Sequence, residues 1–133
     1  MSKGEEKIEY ILRKSYLSYK REFTFPHLNG KKHQPLRFDF AVFSGNNLIA
    51  LIEIDGEPHF TYIPFFDKKK SNFLARKGRD RKKNEFAMRK NIPLFRIPYW
   101  ELDEVNSLED ILQNKFKVKS VYHNDRLIRE RGK

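Results

Sequence analysis

The 133-residue chain has no cysteine, which excludes disulfides and thiolate zinc sites and agrees with a reducing compartment. No apolar run approaches the roughly 20 residues a membrane span requires. The polar start MSKGEEK has no signal-peptide core, so a soluble cytoplasmic protein is expected. Internal repeats are absent, as are a second domain and any zinc finger or helix-turn-helix that would read a long DNA site. Acid is scarce relative to base: 28 Lys and Arg face 18 Asp and Glu, a net charge of +10, while twelve Phe and six Tyr argue against disorder. A single basic, aromatic-rich domain over residues 1–133 follows, and its expected partner is nucleic acid.

Hydrophobic spacing orders the elements. Ser2 and Glu5 form a capping-box pattern, and Ile8, Ile11, Leu12 and Tyr16 recur at helical period, predicting a helix over 3–18. Tyr19–Phe25 alternates as a strand that Pro26 ends, and Asn29-Gly30 marks a turn. Strands over 36–43 and 48–54, joined by Ser44-Gly45-Asn46-Asn47, form a hairpin whose second strand is apolar enough to be buried on both faces. An ordered loop spans 57–70. A helix capped by Ser71 then runs to Lys90, where Asn91 and Pro93 stop it. Leu94–Ile97 is a short buried strand, and Ser107 opens a helix to about Lys117. Residues 118–133 have weak periodicity and form a candidate basic tail.

Chemistry concentrates in RFDFAVFSGNNLIALIEIDGEPH, residues 37–59, where acids interrupt apolar strands. An unpaired buried carboxylate is costly or neutralises itself, so acids at strand ends in a basic protein point to a bound cation. The hairpin is expected to set Asp39 beside Asp55, two carboxylates which with a backbone carbonyl suit Mg²⁺, with Mn²⁺ able to stand in. Period two places Glu53 on the same face as Asp55. His59, beyond the Gly56–Pro58 turn, is placed to take a proton from water.

Asp39 in a strand, then IEIDGEPHF, then a basic helix with RDRKKNEF, then PLFRIPYWE, is an order that resembles the compact branch of the PD-(D/E)XK nuclease superfamily. The nearest likeness is to the very-short-patch repair endonucleases, the EDxHD homing endonucleases and small phage-borne nucleases. The resemblance implies a restriction-endonuclease-like α/β fold, a central mixed β-sheet flanked by helices, and a Mg²⁺-dependent DNA endonuclease. It implies that Asp39 and Asp55 bind metal with the Ile54 carbonyl, that His59 is the catalytic histidine, and that Asp80 and Glu5 are the acids of the two helices. Asp55 stands where the parent superfamily has its lysine, and the cysteine-rich zinc site of the very-short-patch enzymes is absent.

Each residue also has a plainer role open to it. Glu5 can simply complete the cap with Ser2, Asp80 can pair with Arg76 or Asn84, Glu53 can match a nearby lysine, and His59 can stack on Phe60. His27, His33 and His123 lack ligand spacing and are read as surface residues, and Tyr99 and Trp100 as packing residues. Between Lys68 and Lys90, eleven Lys or Arg face only Asp80 and Glu85. Lys77, Arg79, Arg81, Lys82 and Lys83 are therefore candidate phosphate contacts, with Tyr62, Phe65 and Phe66 as aromatics that either stack on DNA or cover the core. The alternatives to a homing- or repair-type endonuclease are a structure-dependent nicking nuclease and a catalytically silent DNA-binding module. A homodimer would extend a short recognition site.

Overall fold

Ser2 opens the first helix by accepting a hydrogen bond from the Glu5 amide at 3.1 Å, satisfying one of the orphan donors of the first turn. In the computed structural model, which describes residues 1–60, 70–125 and 127 (Pro58 by its backbone alone), this helix, α1, spans Lys3–Lys14. It stops four residues before the expected end. Ser15 turns extended, its hydroxyl donates to the Leu12 carbonyl at 2.7 Å and its amide bonds the same oxygen, so the chain leaves for the sheet. Tyr16 consequently stands 94% exposed instead of joining the apolar stripe.

Four strands follow: β1 (Ser18–Asn29), β2 (Pro35–Ser44), β3 (Asn47–Asp55) and β4 (Leu94–Pro98), side by side in that order. The first two pairings are antiparallel and β3–β4 is parallel. The sheet is thus mixed and flanked by helices, as expected from sequence. Pro26 does not end β1, because β1 is an edge strand and Pro26 sits where its pairing with β2 is interrupted between Thr24 and Asn29. His27 there has a φ of +68°, a bulge that sends Leu28 rather than His27 into the core.

The β2–β3 turn is Gly45-Asn46, with Ser44 paired to Asn47. Gly45 has a φ of +59°, the left-handed first position of a II′ hairpin, and a methyl group added there would meet nothing within 4 Å. Gly45→Ala therefore isolates the backbone cost, and chemical denaturation should show a loss of about 1–2 kcal/mol.

Helix α2 (Lys70–Arg89) ends as expected at Asn91, whose φ is +56°. One face of the sheet packs on α1 through Ile8, Leu12, Phe40, Val42, Ile52 and Ile97. The other packs on α2 through Phe86, Ala87, Phe38, Leu51 and Leu94. Burying Ile8 completely contributes about 2–3 kcal/mol of transfer free energy. The helix expected over 107–117 is a single turn, α3 (Leu108–Ile111). Beyond it the Val118 amide bonds the Leu94 carbonyl at 2.8 Å and Lys117 bridges Phe95, so pairing with the free edge of β4 outcompetes helix. Among the described residues, no helix is long and apolar enough to cross a membrane.

Candidate metal and catalytic site

The alternation of β3 puts Leu51, Glu53 and Asp55 on the α2 face, and the parallel register of β4 sets Arg96 beside Glu53 on that same face. Three charged side chains thus project into the seam between sheet and α2, where water is excluded. They meet two groups of partners.

The first group forms where β2 and β3 part. Phe38 packs on the α2 face and Phe40 on the other, so β2 turns at Asp39. There the ladder is replaced by side chains: the Ile54 amide donates to Asp39 Oδ2 at 2.7 Å and the Asp39 amide to Glu53 Oε1 at 3.3 Å. Lys83 of α2 donates to the same Glu53 oxygen at 3.1 Å. Asp39 therefore neighbours Glu53 and Ile54, not Asp55 as the simple hairpin suggested. Burial, then the Glu53 charge, pushes the Asp39 carboxyl up to about 8, with Glu5 adding to the push and the Ile54 amide and Lys83 opposing it. Burial raises Glu53 too, with Lys83 and Arg96 opposing. Lys83 thus acts on both carboxylates, and Arg96 on Glu53.

The second group is a closed ionic network. Arg96, fully buried, donates from one terminal nitrogen to both Asp55 oxygens at 2.8 and 3.0 Å, and from Nε to Asn84 Oδ1 at 2.7 Å. Its other terminal nitrogen reaches the Asp80 carbonyl at 3.3 Å. Asp55 is 1% exposed and also accepts from Asn124 Nδ2 at 3.1 Å. Burial opposes ionisation of Asp80, but Arg96 and then His59 hold its carboxyl below the usual range. His59 Nδ1 lies 2.9 Å from Asp80 Oδ2. Since Asp80 is ionised it accepts, and the Nδ1–H is the donor. Burial would lower the His59 pKa, yet the Asp80 hydrogen bond and the Asp55 and Asp80 charges raise it overall. Asp55, His59 and Asp80 each offer a ligand atom within 4.8 Å of the others, but Arg96 already supplies that trio with a cation.

Between α1 and the His59 turn lies a cleft of about 580 Å³, lined by Glu5, Ile54, Gly56, His59, Arg76 and Tyr99 among others. Glu5 accepts from the Ser2 hydroxyl at 3.3 Å as part of the cap, and it also lines the cleft, with its charge felt at Asp39. Phe60 packs on Trp100 and Tyr99 at centroid distances of 4.8 and 6.2 Å, so the two aromatics after β4 are packing residues.

The basic helix differs from its sequence reading. Lys77 and Arg81 are held by Asp125 at 2.7 and 2.9 Å and Lys83 by Glu53, while Lys82 donates to the Asn29 carbonyl and Arg79 is exposed. Tyr62, Phe65 and Phe66 lie outside the described residues. His123, expected at the surface, is 1% exposed, and the start of the supposed tail is folded: Asn84 bonds the Val121 carbonyl at 3.0 Å and Asn124 reaches both Asp55 and Asp80. Sequence reasoning missed Arg96, Asn124 and Asp125, and it offered Asn84 as a partner of Asp80 where the structure bonds it to Arg96 and the Val121 carbonyl. Only Arg96 carried a signal, an arginine inside the apolar run LFRIP. No protein-family model, curated protein or solved structure matches the chain.

One consequence is measurable by NMR. Asp80→Asn keeps an acceptor for Nδ1 but removes the charge, and should lower the His59 pKa. A raised histidine pKa stabilises the fold fully below the unfolded value of about 6.5. That contribution is lost as pH rises through the folded pKa, so the gap between wild type and variant should narrow in alkali to what the attraction between Asp80 and Arg96 supplies. A His59 titration unmoved by the substitution would separate the two residues.

Proposed function

We propose that the chain is a Mg²⁺-dependent DNA endonuclease, with Mn²⁺ able to replace Mg²⁺. One observation carries the reading: Asp39 and Glu53 lie together at the divergence of β2 and β3, both with raised pKa, with Lys83 the cation hydrogen-bonded to Glu53 among the described residues. That donor set fits a hard divalent cation, because it offers oxygen ligands whose raised pKa values show that Lys83 offsets their burial only in part. Glu53, rather than Asp55, would hold the ion with Asp39, since Asp55 is saturated by Arg96 and Asn124. Ile54 lines the adjoining cleft, where its carbonyl is the candidate third protein ligand. A divalent ion in such a site makes bound water more acidic and stabilises charge on phosphoryl and leaving oxygens.

The chain's own residues supply the rest. Asp80 fixes the His59 tautomer with Nδ1 protonated, leaving Nε2 to accept a proton at the cleft. Arg96 and Asn124 hold Asp55 and Asp80 in place. Glu5 borders the cleft from α1.

Supercoiled plasmid incubated with Mg²⁺, and separately with EDTA, tests the proposal. Linear product only with Mg²⁺ is expected. Nicked circles alone make the protein a nicking nuclease, and retained but uncut DNA makes it a catalytically silent binding module.

A further inference from the structure

We infer that the nucleic-acid backbone lies across the β1–β2 loop and the adjoining edge of α2, on Lys31, Lys32, Arg79 and Lys82, and not along the Lys77–Arg81 stripe. The choice of partner rests on the nuclease reading; the location rests on how the helix's charges are paired.

The basic residues of α2 divide by their surroundings. Lys77 and Arg81, one turn apart, converge on Asp125, and Arg81 also lies over the Tyr122 ring at 5.2 Å. Asp125 is kept ionised: burial works against it, but the Lys77 and Arg81 hydrogen bonds lower its pKa. A phosphate approaching this stripe has to displace a carboxylate already in position. Lys83 turns inward to Glu53 and Arg89 pairs with Glu85 at 3.0 Å. Arg79 and Lys82 lie three residues apart, on a different side of the helix, and neither meets a carboxylate among the described residues.

That side adjoins the loop between β1 and β2. Lys82 donates to the Asn29 carbonyl, and a Cβ built on Gly30 would come within 3.9 Å of Arg79 Cδ. The loop is held shut by the Gly30 amide on the Gln34 carbonyl at 2.7 Å and the Gln34 amide on the Lys31 carbonyl at 3.1 Å. Within it Lys32 and His33 have φ of 54° and 60°, a left-handed conformation that costs non-glycine residues about 1–2 kcal/mol each. Lys31, Lys32 and His33 are all exposed there. A solvated surface normally interleaves the two signs of charge. Here four cations stand together without an acid partner among the described residues.

The patch is also at a usable distance from the chemistry. Pro35, which follows the loop, and Asp39 are on the same strand, so about 3.3 Å per residue separates them by roughly 13 Å. Along a duplex that is about four steps of 3.4 Å. A backbone resting on the loop therefore reaches the Asp39–Glu53 site.

Salt titrations of a fluorescein-labelled 20-base-pair duplex, read by anisotropy in EDTA, test the inference without requiring cleavage. Lys31→Gln/Lys32→Gln and Arg79→Gln/Lys82→Gln should each reduce the slope of log affinity against log salt by about two, one for each phosphate that is no longer neutralised. Lys77→Gln/Arg81→Gln should leave it unchanged. The loop pair is exposed and tests the surface even if the helix pair disturbs folding. The reverse pattern, equal slopes for all variants, or no binding by wild type overturns the inference. Binding with this pattern but without plasmid cleavage sinks the nuclease reading and leaves the surface standing.

Discussion

Arg96→Met is expected to lower the free energy of unfolding by about 3–5 kcal/mol, because methionine keeps the apolar stem and strands the charges around it. Arg96 is the buried cation paired with both Asp55 and Asp80, it holds the Asp80 carboxyl below its usual range, and it also satisfies Asn84. In a domain of this size the change corresponds to a drop in melting temperature of roughly 10 °C or more. The deficit should shrink in acid, where the stranded carboxylates take up protons. Asp55→Asn in the Arg96→Met background should recover part of the loss, whereas Asp55→Asn alone leaves Arg96 short of a counter-charge and should destabilise. Urea titrations at pH 5 and pH 8 measure all of this. A loss below about 1 kcal/mol at pH 8 would show that the network positions residues without holding the fold.

Asp39→Asn should produce the largest functional effect with little damage to folding. Loss of a metal-holding carboxylate is expected to reduce plasmid cleavage by about 1000-fold or more. Stability should move the opposite way from activity. With its pKa raised to about 8, Asp39 favours the folded state fully only below its unfolded value, near 3.8, and that stability is lost as pH rises through about 8. Asparagine has no charge to bury, so the metal-free variant should match or exceed wild-type melting temperature at pH 8. Adding Mg²⁺ at that pH should raise the melting temperature of wild type and not of Asp39→Asn. Mg²⁺-independent melting of wild type would remove the ion from this pair of acids, and cleavage by Asp39→Asn at near wild-type rate would remove Asp39 from the chemistry.

Much of the molecule was legible in the chain because local rules governed it. Ser2 and Ser107 cap their helices, Gly45 makes its turn, Asn91 ends α2, and the apolar run of β3 marks the central strand. The acids within those runs announced a polar site in the seam. Misreadings fell where a distant partner overrode local preference: Pro26 in an edge-strand bulge, residues 112–118 drawn to β4, and His123 buried under a segment that resembles a tail.

Sequence alone determined the mixed α/β class, the order of strands and helices along the chain, and the identity of Asp39, Glu53 and Asp55 as acids out of place in apolar strands. Their pairing was decided only by the tertiary structure. A carboxylate's charge depends on what stands within a few ångströms of it, and here those neighbours come from β4, α2 and residues 124–125, up to 69 positions away. The same dependence turned Lys77 and Arg81 from free cations into partners of Asp125, and left Lys31, Lys32, Arg79 and Lys82 without a carboxylate partner among the described residues.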